Sequence, residues 1–468
     1  VTTPGRYRFD GFEMDTATHR VTRGGQALPI PERHFEVLLE LVVHAGSIIS
    51  KDALVAAAWP DVAVTDNSLE QAISLLRRIL SGASGASSNI QTVPRQGYRF
   101  TGTVTRHVAR ESDQQLDALL APHRAWLQGR AALESLTLDD VASAMSAFER
   151  VLASEPEYAA AHVGAANALA LRFQATRTDR GSHVGVLQSA IDHARTACQL
   201  ERDSGEAWAT LGFVLHSAGQ LEEALAAARR AVMLEPDNWQ HSLRLAFVGW
   251  GQERLRAAHR TLTLLPDLAL AHWLAATVQV ARQAFDAAEQ DLDAGAAAQD
   301  AQRGGRFSAV GLHWLRGLVR LRRGDEDGAR DAFARELEFE ASGHIYAREC
   351  CANVWYALAG IARHRGEEQQ AAVALQETLR RIDRHPLANA AMGVWAGGDA
   401  DVDAAHASAV HAVTAGDVSG GAARLLAALR AASPGSAGWT VAVDPWLRTW
   451  EQPSEWNAVL ACVRNRAV

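Results

Sequence analysis

Two hydrophobic rhythms divide this chain. In the first hundred residues, apolar and polar positions alternate in short runs at 7–9, 12–14, 20–23 and 26–28. Gly11 and Gly24-Gly25 punctuate them, which predicts a small antiparallel sheet. From Pro31-Glu32 the period becomes helical, with Phe35, Leu38, Leu39 and Val42 on one face and an end near Gly46. Ile48-Ile49 reads as a brief strand. Ser50-Lys51-Asp52 then caps a second helix that stops at Trp59-Pro60. A third helix runs from about Asn67 to Leu80, with Leu69, Ile73, Leu76 and Leu80 on one stripe. After it, a short strand pair closes around Pro94-Arg95-Gln96-Gly97. From about residue 118 the helical period runs on almost to the C-terminus.

The third helix has a second, opposite stripe made of Asn67, Gln71, Ser74 and Arg78. Amides pair with adenine and guanidinium with guanine at base edges in a major groove, so this face suits DNA. The hairpin adds Arg95 and Arg99 beside Tyr98, groups suited to holding phosphates. The candidate DNA-binding residues are therefore Asn67, Ser68, Gln71, Ser74, Arg77 and Arg78 from the helix, with Arg95, Tyr98 and Arg99 from the hairpin. By itself a polar helix face is only a solvated one; its flanking motifs change the reading.

Those motifs are Leu54…Trp59-Pro60, Val64-Thr65-Asp66-Asn67-Ser68-Leu69, Ile73-Ser74…Leu76-Arg77-Arg78 and Thr92-Val93-Pro94-Arg95-Gln96-Gly97-Tyr98-Arg99. Together with the order sheet, three helices, hairpin over residues 6–104, they resemble the winged-helix DNA-binding domain of the OmpR/PhoB family. The form is that of CadC- and ToxR-like regulators. The resemblance implies a bacterial regulator in which the third helix is the recognition helix and the hairpin a wing. It also implies two protomers on neighbouring half-sites. The family often carries basic residues where this chain has Leu75 and Gln96.

Residues 205–238 form a 34-residue unit, the length of a tetratricopeptide repeat, and resemble that family closely. Trp208, Leu211, Gly212 and Leu215 fall on a first helix, Gly219 at the turn, Ala224, Ala228 and Ala231 on a second, and Pro236 after it. Small residues let helices approach while Trp208 and Leu215 fill the space between. Weaker copies flank this unit, giving six or seven helix pairs. Most tryptophans are expected in the repeat cores, with one or two of Trp239, Trp250 and Trp273 on a concave face. Residues 438–463, with Asp444-Pro445-Trp446 and Trp456, break the period and read as a terminal cap.

The expected fold is mostly α: a small α+β winged-helix domain followed by an α-solenoid of tetratricopeptide-like helix pairs. Its parts are a reader at 1–104, a linker at 105–117, a sensor or interaction domain at 118–437 and a cap at 438–468. A net charge of −8 looks unsuited to DNA until it is divided. Residues 1–110 carry 12 basic and 10 acidic side chains, the remainder 34 and 44, so the basic balance is local to the reader. Four cysteines in 468 residues make no disulfide framework and fit a reducing compartment. No apolar run approaches the roughly 20 residues that span a bilayer. A cytoplasmic protein without membrane contact is expected. There is no phosphate-binding glycine loop, no H-E-x-x-H pair and no paired C-x-x-C, so neither catalysis, metal nor cofactor is expected. Cys350-Cys351 reads as a pair of small buried residues. The partners expected are double-stranded DNA, a second copy of the chain, and a peptide, protein or small-molecule effector on the repeats. The alternative is an interaction scaffold whose winged helix docks proteins. The polar stripe argues against it, since docking surfaces are depleted of charge at their centre.

Overall fold

The computed structural model describes residues 5–60, 66–81, 89–107, 113–179, 184–301 and 308–468. It divides into two units. One comprises Val1–Leu133, Asp140–Ala170 and Val184–Arg244; the other comprises Glu134–Asp139, Leu171–His183 and Leu245–Val468. The architecture is mostly α, with a winged-helix α+β domain followed by tetratricopeptide-like helix pairs.

The winged helix belongs to the first unit. Strands β1 (Arg6–Phe9), β2 (Phe12–Asp15), β3 (Arg20–Arg23) and β4 (Gln26–Ala27) form an antiparallel meander, as their alternation predicts. Helix α1 (Glu32–Val43), strand β5 (Ile48–Ile49), helix α2 (Lys51–Ala58) and helix α3 (Asp66–Ser81) follow. The hairpin strands are β6 (Ile90–Val93) and β7 (Gly97–Phe100), with β5 beside β7. Ser50 Oγ accepts a hydrogen bond from the Ala53 amide at 3.1 Å, satisfying an orphan donor of α2. One apolar core joins all these pieces: Phe9, Phe12, Phe35, Leu38, Leu41, Leu54, Leu69, Ile73, Leu76 and Phe100 are buried in it. Phe9 meets Phe100 edge-on at 5.1 Å and so ties the meander to the wing sheet.

The expected linker differs. Thr105–His107 forms a strand, β8, paired antiparallel with β1. Without it β1 would present an open edge of unpaired amides and carbonyls, and the polar segment Thr105-Arg106-His107 satisfies them. Helix α4 (Asp113–Glu134) follows, so regular structure lies at both ends of the segment read as a linker.

The rest of the first unit is helical: most of α4, then α5 (Leu138–Ser154), α6 (Ala159–Thr176), α7 (Val184–Leu200), α8 (Gly205–Ser217), α9 (Leu221–Leu234) and the start of α10 (Trp239–Val248). Packing relies on absent side chains. A Cβ on Gly212 would lie 2.9 Å from the Ala224 carbonyl oxygen, and Phe148 occupies the space a Cβ would need at Gly129 and Gly164. Gly219, at φ +77°, makes the turn between α8 and α9. Trp239 is buried at 1% exposure, which removes it from the expected concave set. Its position opening α10 turns the ring into the core.

The second unit contains the end of α10, then α11 (Gly251–Leu264), α12 (Ala269–Ala281), α13 (Phe285–Ala301), α14 (Leu312–Arg322), α15 (Glu326–Leu337), α16 (Ala347–His364) and α17 (Glu368–Arg381). It ends with α18 (Pro386–Ala391), α19 (Val402–Thr414), α20 (Val418–Ala431) and α21 (Pro453–Arg466). Helices α12 with α13, α14 with α15, α16 with α17 and α19 with α20 pack as pairs. Trp250 is only half-buried, but its indole N–H donates to the Arg466 carbonyl at 2.9 Å, tying α21 to the start of α11. Trp273 is also partly buried, against the core of α12–α16. The segment between α20 and α21 is anchored by Asp444. Its carboxylate accepts from the Trp446 and Leu447 amides at 2.8 and 2.9 Å and from the Tyr356 hydroxyl at 3.3 Å. Among the described residues no helix is long and apolar enough to cross a membrane.

Candidate nucleic-acid interface

Helix α3 is held from one side only. Leu69, Ala72, Ile73, Leu76 and Leu80 are buried against α1, α2 and the wing strands, leaving Gln71, Ser74 and Arg78 exposed on the opposite stripe. Asn67 lies in the first turn, but its side chain is outside the described residues. Ser68 is half-buried. Lys51, the only lysine, reaches from α2 to Glu70 of α3 at 2.9 Å. That exposed pair contributes little energy, but it places one carboxylate of α3 beside a cation.

Arg77 plays a different part from Arg78. Its Nε donates to the Ile90 carbonyl at 3.0 Å and its second nitrogen to Thr92 Oγ1 at 2.7 Å. These bonds fasten α3 to strand β6, so Arg77 sets the position of the hairpin relative to the helix rather than offering its charge outward. The sequence grouped it with Arg78 because adjacent residues look alike until the fold separates them by about 100° around the helix.

The wing tip is Pro94-Arg95-Gln96, all exposed, between the paired residues Val93 and Gly97. Arg95 sits at φ +65° and Gly97 at φ +138°. A Cβ at Gly97 would collide with the Ile49 carbonyl oxygen, so glycine is required for β7 to lie against β5. Tyr98 corrects the sequence reading: it is 4% exposed and belongs to the core, not to a phosphate-facing surface. Strand alternation explains it, since Tyr98 pairs with Thr92 and Ile49 while pointing inward, and Arg99 takes the other face. Arg99 is half-buried with its Nε lacking a hydrogen-bond partner, which leaves Arg95 as the exposed cation of the wing tip. The expected residues thus divide into an exposed set (Gln71, Ser74, Arg78, Arg95), two half-buried ones (Ser68, Arg99), a fastener (Arg77) and a core residue (Tyr98).

The N-terminal end of the exposed stripe has a neighbour that no sequence pattern signalled. Ser68 and Gln71, with Arg33, His34 and Trp59, line a narrow cleft whose opposite wall is Leu234, Glu235, Asp237 and Asn238 from the α9–α10 turn. Burial pushes the Glu235 carboxyl upward, but His241, Arg33 and a hydrogen bond from Asn238 outweigh it and hold it well below the ordinary range. Burial lowers His34, with Arg33 acting in the same direction and Glu235 against it. The cleft therefore contains a fixed carboxylate beside the face expected to meet base edges. A polar residue at one point in the sequence gives no sign that a turn some 165 positions later stands opposite it.

Comparison with known families matches residues 25–100 to "Transcriptional regulatory protein, C terminal" and residues 205–238 to a tetratricopeptide repeat. The transcriptional regulator HilA of Salmonella typhimurium is 37% identical over 101 residues, 21% of this chain and 18% of that protein. The transcriptional activator CadC of Escherichia coli is 29% identical over 97 residues, 20% and 19% of the two chains. The phosphate regulon regulatory protein PhoB of Klebsiella pneumoniae is 32% identical over 92 residues, 19% and 40%. The chain thus spans about a fifth of the length of the first two relatives, and the match falls on the winged helix. The N-terminal region of this protein is accordingly an OmpR/PhoB-type transcriptional regulatory domain, joined in the same chain to a tetratricopeptide repeat at residues 205–238.

Proposed function

We propose that this protein is a sequence-specific, DNA-binding transcription regulator and not an enzyme. Asn67, Gln71, Ser74 and Arg78 of α3 read base edges in the major groove, and Arg95 on the wing holds the phosphate backbone. The observation that carries this reading is the division of α3 into a fully buried apolar stripe and an exposed stripe of amide, hydroxyl and guanidinium. Such groups in that order can discriminate bases by hydrogen bonding. The relatives that match this domain are named as transcriptional regulators, which supports the same assignment.

One winged helix covers a small DNA interface, of order 600–1,000 Å², so two copies on neighbouring half-sites supply useful specificity. The acidic repeats act as the effector or interaction domain, taking a peptide, protein or small ligand rather than nucleic acid. The test is recovery of genomic fragments by the purified chain, followed by sequencing and footprinting. A shared sequence with two protected half-sites is the expected result. Absence of any preference over random duplex at moderate salt, in the chain and in variants whose repeats no longer hold α1, would leave only the scaffold reading.

A further inference from the structure

The first unit holds the winged helix against its own repeats through side chains that join the two cores, Phe35 on one side and Trp126 and Tyr158 on the other. His19, in the turn between β2 and β3, stacks on Phe35 of α1 at 4.7 Å; it also meets His123 and Trp126 of α4 at 4.3 and 5.5 Å, and Tyr158 at 6.3 Å. Arg20 donates to the Glu157 carbonyl at 3.2 Å, and Arg33 of α1 donates to Gln240 Oε1 of α10 at 3.0 Å. Arg130 of α4 lies 3.9 Å from Glu32 of α1. Beside these contacts, Pro31, Glu32 and Arg33 line a cleft opposite Glu201, Ser204, Glu206 and Glu235.

The consequence falls on α3. A recognition helix must enter a groove about 12 Å wide and 8.5 Å deep, with a phosphate strand on either side. Here the space beside Ser68 and Gln71 is walled by residues 234–238, where one strand would have to run. The wall excludes that strand by its bulk; Glu235 within it lies 3.2 Å from His241 Nε2 and accepts from Asn238, and Arg33 lines the same cleft. Taking the proposed DNA reading as given, we infer that the α9–α10 turn is an autoinhibitory wall: in this arrangement the repeats block the reading helix, and DNA is bound only after they release α1.

Release requires breaking the Arg33–Gln240, Arg20–Glu157 and Arg130–Glu32 contacts and exposing the His19 aromatic cluster. A repeat-bound partner controls the reader by shifting that equilibrium, without touching α3. The acidic side chains crowding the contact make it a poised one. Burial raises Glu32, with Glu206, Glu36 and Glu201 adding to it and only Arg130 opposing; burial likewise raises Glu36 and Glu201 to about 7.

The test compares the full chain with Gln240→Arg, which sets a second guanidinium against Arg33, and Arg130→Glu, which faces Glu32 and Glu36 with another carboxylate. Thermal melting checks that each chain is folded, and backbone hydrogen exchange over α1 and residues 234–238 reports loosening without DNA. Affinity is measured on genomic fragments recovered by any of the three proteins. A loosened variant binds roughly tenfold tighter than wild type, as expected when a competent state is a minor population. DNA added to the wild type raises exchange at residues 234–238. Loosened variants that bind no tighter than wild type, or a wild-type complex that keeps full protection at 234–238, overturn the wall and leave the DNA reading intact. If neither wild type nor loosened variants bind any duplex, the DNA reading itself fails and the wall with it.

Discussion

Polar side chains are placed in opposite ways on helix α3 and in the segment that precedes the last helix. On α3, Gln71, Ser74 and Arg78 stand exposed above a sealed apolar stripe. The Asp444 carboxylate is instead buried and answered: 2% exposed, it accepts from two amides and the Tyr356 hydroxyl, and His406 Nε2 lies 3.0 Å from it. The Trp446 indole donates in turn to the Tyr356 carbonyl at 3.2 Å. A satisfied buried network spends its hydrogen-bonding capacity on one geometry, whereas an exposed stripe keeps that capacity for a partner. Substitution should therefore cost stability at the first and recognition at the second.

The largest effect is expected at Asp444. Asp444→Ala leaves two amides, a hydroxyl and an imidazole without their acceptor and should cost about 3–5 kcal/mol of stability. Calorimetric melting of the full chain checks this; an unchanged transition would show that the network is ornamental. Next comes Gly97→Ala, where φ +138° and the Ile49 carbonyl both oppose a side chain. The backbone strain alone is worth about 1–3 kcal/mol, and the displaced wing should also lose its footprint on DNA.

Arg78→Ala sharpens the contrast. It should leave the melting temperature nearly unchanged while costing about 1–3 kcal/mol at one base position, read by binding to operator variants. A uniform loss across sequences would reassign Arg78 to the phosphate backbone. Arg77→Ala, one residue away, should behave in the opposite sense: hydrogen exchange in β6 rises because the bonds to Ile90 and Thr92 are lost, and base preference is retained. The smallest effect belongs to Arg95→Ala, which should weaken all duplexes alike and reduce the slope of log affinity against log salt by about 1.

Much of the fold was legible because local periodicity carries it. The four meander strands, the Ser50 cap and the stripe Leu69/Ile73/Leu76/Leu80 all appear where alternation and the 3.6-residue period put them. The candidate site was legible only in part. Gln71, Ser74, Arg78 and Arg95 are exposed as their pattern implied, but residue type did not reveal that Arg77 turns to the wing or that Tyr98 turns inward. Strand phase decides the second, and phase is set by which neighbour β7 pairs with, a long-range fact.

Sequence by itself determined the elements, the winged-helix order and the 34-residue repeat at 205–238, because hydrophobic period, caps and glycine turns act over a few residues at a time. Tertiary structure alone decided that residues 105–107 close the first sheet as an edge strand and that Trp239 is core. It also decided that Glu235 and Asp237 stand opposite Ser68 and Gln71. Those outcomes depend on open sheet edges, on volume left between helices and on charges brought together from distant positions, none of which exists until the chain has packed.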